Sequence, residues 1–437
     1  MSVIRMTGPD SFLIFSKLSS AKYKNPENRQ VSLVKIRKEN EIIDEAIVIF
    51  FKCPHSYTGD DTVEIICHGS PYIVREILSA AASAGAVQAA PGEFTLRAFI
   101  NGKMDLAEAE AVNALIASDS AASRHAALTQ LEGSLSDIIS SMKDETLSLL
   151  AETEARLDDS DGEIFPIDID VFSSRIQNLI KRINELSEGF KTGKNIREGI
   201  KAVLAGAPNS GKSSLMNLLL GYDRAIVSPE AGTTRDTLEA PAEINGIKFI
   251  ITDTAGLSDA AGNVIEEEGM KRAEAALRHA DIVLLLKDSS VPESPADRLA
   301  AECVRKNMPA EAELFHVFTK IDISGAVNNS CRENTYISCR SGAGTEELRR
   351  KITEKTAAGI SCREMPSVLF IRHYEALMQA SSELKKLTEI ISSGKQTMLE
   401  IAAEHLRAAL KAFGLVTGET AADDVLAKIF SGFCVGK

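Results

Sequence analysis

The chain has 437 residues, with 62 acidic against 49 basic side chains and a formal net charge of −13. That length exceeds what one hydrophobic core fills, so two to four domains are expected. The acidic balance excludes a broad basic surface for nucleic acid, and the absence of an apolar run near the ~18–20 residues of a membrane span excludes a spanning helix. No basic stretch followed by an apolar one opens the sequence, which predicts a cytoplasmic protein. The seven cysteines are scattered and form no C-x-x-C pair, so neither a disulfide framework nor a zinc site is signalled.

Along residues 1–102, strand-like runs ("VSLVKI", "EAIVIFF", "TVEIIC") alternate with one helical pattern, "YIVREILSAAASAG", closed at Gly85. This predicts a small α+β domain. From 103 to 198 the pattern becomes helical. Leu128, Leu131, Leu135, Ile138, Met142 and Leu149 keep a three-four spacing that lays one stripe along a helix, either a bundle core or a dimer seam. The acidic segment "LDDSDGEIFPIDID" breaks this run before a further helix. From 199 to 362, buried-strand runs ("IKAVLAG", "IKFIITD", "DIVLLLKD", "LFHVFTK", "TYISC") alternate with helices, which predicts an α/β domain with a mostly parallel sheet. Helical texture returns over 363–437, with Leu377, Leu384, Leu387 and Ile391 on one face. An α/β nucleotide domain is thus inserted into a discontinuous helical domain.

The inserted domain carries its chemistry in four short segments. "GAPNSGKSS" matches G-x-x-x-x-G-K-[ST] at Gly206, Gly211, Lys212 and Ser213, after a strand and before a helix. In such a loop the backbone wraps phosphates and the helix N-terminus offers N–H donors. Lys212 reaches the outer phosphates and Ser213 ligates Mg²⁺. Asn209, Ser210 and Ser214 complete the binding loop. In "DTAG", Asp253 can hold the metal through water, and Thr254, Ala255 and Gly256 bring backbone toward a γ-phosphate. Thr233 and Thr234 lie where a switch loop supplies a second Mg²⁺ ligand. In "TKID", Asp322 can accept from two N–H groups of guanine that adenine lacks, with Lys320 over the ring and Thr319 ahead of it. "SCR", residues Ser338, Cys339 and Arg340, can meet the guanine O6. The set specifies GTP over ATP.

Hydrolysis also requires an oriented water and neutralised charge. Leu257 stands where Ras-like proteins carry a glutamine, and it cannot hold water. Asn209 can ligate a monovalent cation beside the phosphates. The run Glu266, Glu267, Glu268 offers a carboxylate, or else is a solvated helix start.

These motifs, together with "PHSYTGDDTVEIICHGSP", "PGEFTLRAFINGKMDLAEAEAV" and the terminal "FCVGK", resemble the MnmE (TrmE) family of tRNA-modifying GTPases from end to end. The resemblance implies a folate-binding, dimerising N-terminal domain and a GTPase that uses Mg²⁺ and K⁺. It also implies a homodimer that works with the flavoprotein MnmG as a heterotetramer on the wobble uridine of tRNA. There the family adds a carboxymethylaminomethyl-type group from a tetrahydrofolate derivative, in its 5,10-methylene or 5-formyl form. By the same resemblance, the folate contacts fall on Arg5, Glu64, Lys103 and Lys437, and the K⁺ ligands on Asn209, Ser228, Glu230 and Thr233. The Mg²⁺ ligands fall on Ser213 and Thr234, and the water-orienting carboxylate on Glu266, with Glu267 taking that place if the loop after "DTAG" aligns one residue differently. Three departures stand out: the chain begins short of a Gly-rich segment usual in relatives, Thr319 replaces an asparagine, and Ser258 replaces an arginine.

Two other functions share part of this pattern. A GTP-driven ribosome-assembly factor requires a basic RNA-binding appendage, and the helical regions are acidic instead. A prenylated GTPase, suggested by Cys434, requires a different final residue from Lys437. The tail "FSGFCVGK" follows an amphipathic helix in which Val425, Leu426 and Ile429 are the expected anchors, and Cys434 is a candidate catalytic thiol.

Overall fold

In the computed structural model, residues 1–437 are described except for 21, 22, 24, 159–164, 223–238, 254–262, 325–333, 358–367, 394–397, 434, 435 and 437; the side chains of 191, 222, 263–270, 392, 393 and 398 are likewise left out. The chain divides into two compact units. The first comprises Met1–Asn113, Gln130–Ile180 and Ala376–Lys437, the second Ala114–Thr129 and Lys181–Glu375.

In the first unit, β1 (Ser2–Thr7), β2 (Gln30–Lys38), β3 (Glu41–Phe51) and β4 (Thr62–Cys67) form an antiparallel sheet in the order β1-β4-β3-β2. Alternation along each strand sends Ile4, Val34, Ile36, Ala46, Val48, Phe50, Val63 and Ile65 to one face. There they bury against Phe12 and Phe15 of the helix Ser11–Lys17, against Leu18 at its C-cap and against Ile77 of the helix Pro71–Ala84. The other face carries two registered rows. Val3, Ile66, Ile47 and Leu33 stand side by side across all four strands, with Arg5, Glu64, Ile49 and Val31 beside them. Val3, Val31, Leu33 and Ile47 are each more than 40% exposed.

The helices Ser134–Leu157, Ile371–Ser393 and Met398–Thr417 supply a second apolar core, and Leu377, Leu384, Leu387 and Ile391 are buried as expected. The stripe of the first helix differs from expectation. The chain breaks at Gly133, between helices Ala121–Leu131 and Ser134–Leu157, so the apolar phase slips by one residue. Ile139 rather than Ile138 is fully buried, and Leu128 is exposed. The C-terminal helix Asp423–Ser431 shows a similar shift. Val425 faces solvent, and Phe430 and Phe433 pack with Leu96, Phe99, Leu106, Leu426 and Ile429.

In the second unit, β5 (Ile200–Gly206), β6 (Glu239–Ile244), β7 (Ile247–Asp253), β8 (Ile282–Asp288), β9 (Glu313–Thr319) and β10 (Asn334–Tyr336) run in the order β10-β9-β8-β5-β7-β6. All pairs are parallel except β6 with β7. The sheet matches the mostly parallel expectation, with the unforeseen strand β6 at its edge. That strand contains Pro241, which a central strand rejects because it removes a ladder donor. Phe249, Leu204, Ile282, Leu284 and Val317 are almost fully buried, each worth about 1.5–3 kcal/mol of transfer free energy. Residues 114–129 join this unit by gripping the β6–β7 turn. Ala122 N–H donates to the Gly246 carbonyl at 2.9 Å, and Lys248 pairs with Asp119 at 2.6 Å. No described helix is long and apolar enough to cross a membrane.

The docking of the C-terminal helix rests on Gly92. Its φ is +70°, and a Cβ there would stand 2.6 Å from the Phe430 carbonyl oxygen. Gly92→Ala is expected to destabilise the first unit by about 2–4 kcal/mol through strain and overpacking, seen as a lowered thermal midpoint. An unchanged midpoint would show that the tail does not depend on this contact.

Candidate functional site

Parallel strands β5, β7, β8 and β9 all end on one edge of the sheet, and the loops that follow them hold the polar residues singled out above. Gly206 closes β5 with φ +150°, and a Cβ would meet the Leu286 carbonyl oxygen at 2.5 Å, so only glycine lets the loop leave the strand here. Asn209 takes a left-handed φ of +63°, a conformation asparagine tolerates. The helix Lys212–Tyr222 then begins, and its first turn presents N–H groups that have no intrahelical acceptor. Lys212 is buried, with its ammonium donating to the carbonyls of Gly206 and Ala207 at 2.8 Å each. Ser213 Oγ donates to Asp253 Oδ2 at 2.8 Å, which joins the two sequence-predicted metal residues across β5 and β7. Ser210 Oγ is buried with no hydrogen-bond partner among the described residues. An ammonium, a clustered hydroxyl and carboxylate, an unpartnered buried hydroxyl and a helix N-terminus are a donor set that fits a polyphosphate with a hard divalent cation.

The base-facing residues gather beside this loop. Thr319 is almost fully buried, and its hydroxyl donates to the Ser210 carbonyl at 2.7 Å, so "TKID" is tied directly to the phosphate loop. Lys320 has φ +60° and pairs with Asp288 at 2.6 Å. Burial alone would raise the Asp288 carboxyl, yet hydrogen bonds from Lys320 and Ser290 hold it below the usual carboxylate range. Asp322 reaches solvent while one of its oxygens accepts from the buried Ser338 hydroxyl at 2.7 Å. Burial first, and then the Asp322 charge, push the half-buried Cys339 thiol up, so it stays protonated. Arg340 is exposed.

In the other unit, Arg5 and Glu64 face each other across β1 and β4, with Nη2 to Oε1 at 2.7 Å. The Arg5 guanidinium lies 5.4 Å from the Tyr57 ring centre and 5.7 Å from that of Phe94. Lys103 donates to the Pro54 carbonyl at 3.0 Å, on the same β3–β4 loop that carries Tyr57. Phe433 is buried beside Gly92, two residues before Phe94.

The structure therefore brings Lys212, Ser213, Asp253, Thr319, Lys320, Asp322 and Ser338 to one edge, and Arg5 to Glu64. Ser228, Glu230, Thr233, Thr234, Thr254, Ala255, Gly256, Leu257, Ser258, Cys434 and Lys437 lie outside the described residues. Glu266 falls within the helix Asn263–Arg278, and its side chain is not described. Sequence reasoning missed Asp288, Ser289, Tyr57 and Phe94. Only the position of Asp288, at the end of an apolar run like Asp253, was a usable signal.

Two family models match the chain: "GTP-binding protein TrmE N-terminus" over residues 1–103 and "MnmE helical domain" over residues 106–434. A tRNA modification GTPase MnmE from Bordetella bronchiseptica is 37% identical over 100% of this chain and 96% of its own length. One from Coxiella burnetii is 36% identical with the same coverage. Among solved structures, Aquifex aeolicus Era bound to GDP and aluminium fluoride aligns with 42% of this chain and 66% of its own, at 25% identity and a TM-score of 0.29.

If Asp322 reads the donor edge of guanine, Asp322→Asn will weaken GTP by at least about a hundredfold and favour xanthosine triphosphate, whose 2-oxo group accepts from an amide. Competition titration with both nucleotides checks this; retained GTP preference would remove Asp322 from base recognition.

Proposed function

Because the chain belongs to the MnmE (TrmE) family of tRNA modification GTPases, we propose that it couples GTP hydrolysis to modification of tRNA. The observation that carries the nucleotide half is the convergence of Lys212, Ser213, Asp253 and the Thr319–Asp322 loop on one strand edge. Asp322, braced by Ser338, accepts the guanine N–H groups. Lys212 leaves the loop carbonyls for the outer phosphates, while Asn209, Ser210, Gly211 and Ser214 line the loop. Ser213, in the first turn of the helix after β5, and Asp253 at the end of β7, with Thr234, hold Mg²⁺, which when bound neutralises phosphate charge.

K⁺ is the proposed second cation of this loop, held by Asn209, which is exposed on a left-handed backbone, with Ser228, Glu230 and Thr233 completing the set by the family pattern. With Leu257 unable to orient water, Glu266 takes that part. GTP turnover is expected to be at least about tenfold faster in K⁺ than in Na⁺. Equal rates in the two salts, read by phosphate release, would remove the cation from the account.

The N-terminal unit binds a tetrahydrofolate derivative, 5,10-methylene or 5-formyl, through Arg5, Glu64, Lys103 and Lys437. The rings of Tyr57 and Phe94 flank Arg5 beside this group. The bound folate supplies a one-carbon unit, and Cys434, next in sequence to Phe433, acts as acid, base or nucleophile. The exposed Val3, Val31, Leu33 and Ile47 on one face of the β1–β4 sheet support a homodimer, because grouped exposed apolar side chains mark interaction surfaces. The proposed domain limits 1–102, 103–198, 199–362 and 363–437 are drawn at the changes from antiparallel sheet to helices, to mostly parallel sheet, and back to helices. MnmG is the proposed flavoprotein partner, and the wobble uridine C5 of tRNA the modified atom. Loss of the gene is expected to remove the carboxymethylaminomethyl-type nucleoside from digested tRNA, measured by mass spectrometry. Unchanged tRNA would refute this function.

A further inference from the structure

Thr319 occupies the position where the resembled family carries an asparagine, and the structure shows how its only side-chain polar hydrogen is used. Both oxygens near Thr319 Oγ1 are carbonyls: Ser210 at 2.7 Å and, on the neighbouring strand, Lys287 at 3.4 Å. A hydroxyl has one donor, and a carbonyl can only accept, so that proton goes to Ser210. The Thr319 carbonyl accepts in turn from Ser289 N at 3.0 Å and Ser289 Oγ at 2.6 Å, which fixes the residue from both sides. Its side chain also closes against the phosphate loop, 3.6 Å from where a Cβ on Gly211 would lie. The residue is 1% exposed.

We propose that Thr319 is a positioning residue that ties the base-recognition loop to the phosphate loop and makes no hydrogen bond to the base, so that this site reads guanine without its N7. The proposal rests on the reading of this edge as a GTP site. Guanine N7 is an acceptor and needs a donor, which Thr319 has already given away. Recognition then falls to Asp322 on the donor edge of the base and to the Ser338–Arg340 segment at O6. Asp322 is held by Ser338, and the Lys320 ammonium is held at Asp288.

The test measures affinities of GTP and 7-deaza-GTP, in which N7 becomes C–H, for the full chain with Mg²⁺. The unsubstituted protein is expected to bind the two within about twofold of each other. Thr319→Val keeps the shape and leaves the Ser210 carbonyl without its donor. It is expected to weaken both nucleotides by about tenfold or more at a constant ratio, and Thr319→Ser is expected to restore the loss. Thr319→Asn has a second amide hydrogen to spend, and is expected to bind GTP at least about fivefold more tightly than 7-deaza-GTP. A tenfold loss on 7-deaza-GTP in the unsubstituted protein would overturn the proposal, and so would full affinity in Thr319→Val. Failure of the unsubstituted protein to bind either nucleotide would instead defeat the GTP-site reading beneath it.

Discussion

The parallel pairing of β5 with both β7 and β8 is the constraint on which the site depends. A strand flanked on both sides by parallel neighbours has all three C-termini on one edge, so the loops after β5, β7 and β8 open into one crevice. The pairing also packs the phosphate loop hard against the sheet, close enough that Gly206 has no space for a side chain beside Leu286. Lys212, Ser213 and Asp253 come from sequence positions up to 41 residues apart and owe their proximity to that register alone.

A second layer of order comes from polar contacts between the loops. Thr319 bonds to Ser210, Ser289 to Thr319, Lys320 to Asp288 and Ser338 to Asp322, so the phosphate and base loops form one connected network. Each such bond contributes only about 1 kcal/mol net, but a buried partner left unpaired costs about 1–3 kcal/mol. The network therefore resists piecemeal change, and it gives the base-recognition residues fixed geometry. In the other unit the equivalent anchor is apolar: Phe430 and Phe433 pack against Leu96 and Phe99 of the helix Glu93–Ile100.

Much of this was legible in the sequence because the relevant signals are local. The phosphate loop, the "DTAG" and "TKID" segments and the buried parallel strands are set by short-range patterns of glycine, charge and apolar runs. What escaped notice depends on long-range neighbours or on phase. β6 was hidden by Pro241, tolerable only because the strand lies at the sheet edge. The break at Gly133 moved burial from Ile138 to Ile139, and the tail helix turned Val425 outward in favour of Phe430. The partners Asp288, Ser289 and Tyr57 carry no motif of their own; they matter through the atoms they touch, which no spacing rule reveals.

The central claim is that one strand edge of the second unit is a guanine-nucleotide site. Calorimetric titration of the full chain with GTP and with ATP, both in Mg²⁺, tests it most directly. GTP is expected to bind at one site per chain with ATP weaker by at least about a hundredfold, since adenine offers Asp322 no paired donors. Equal affinity for the two, or preference for ATP, would contradict the assignment.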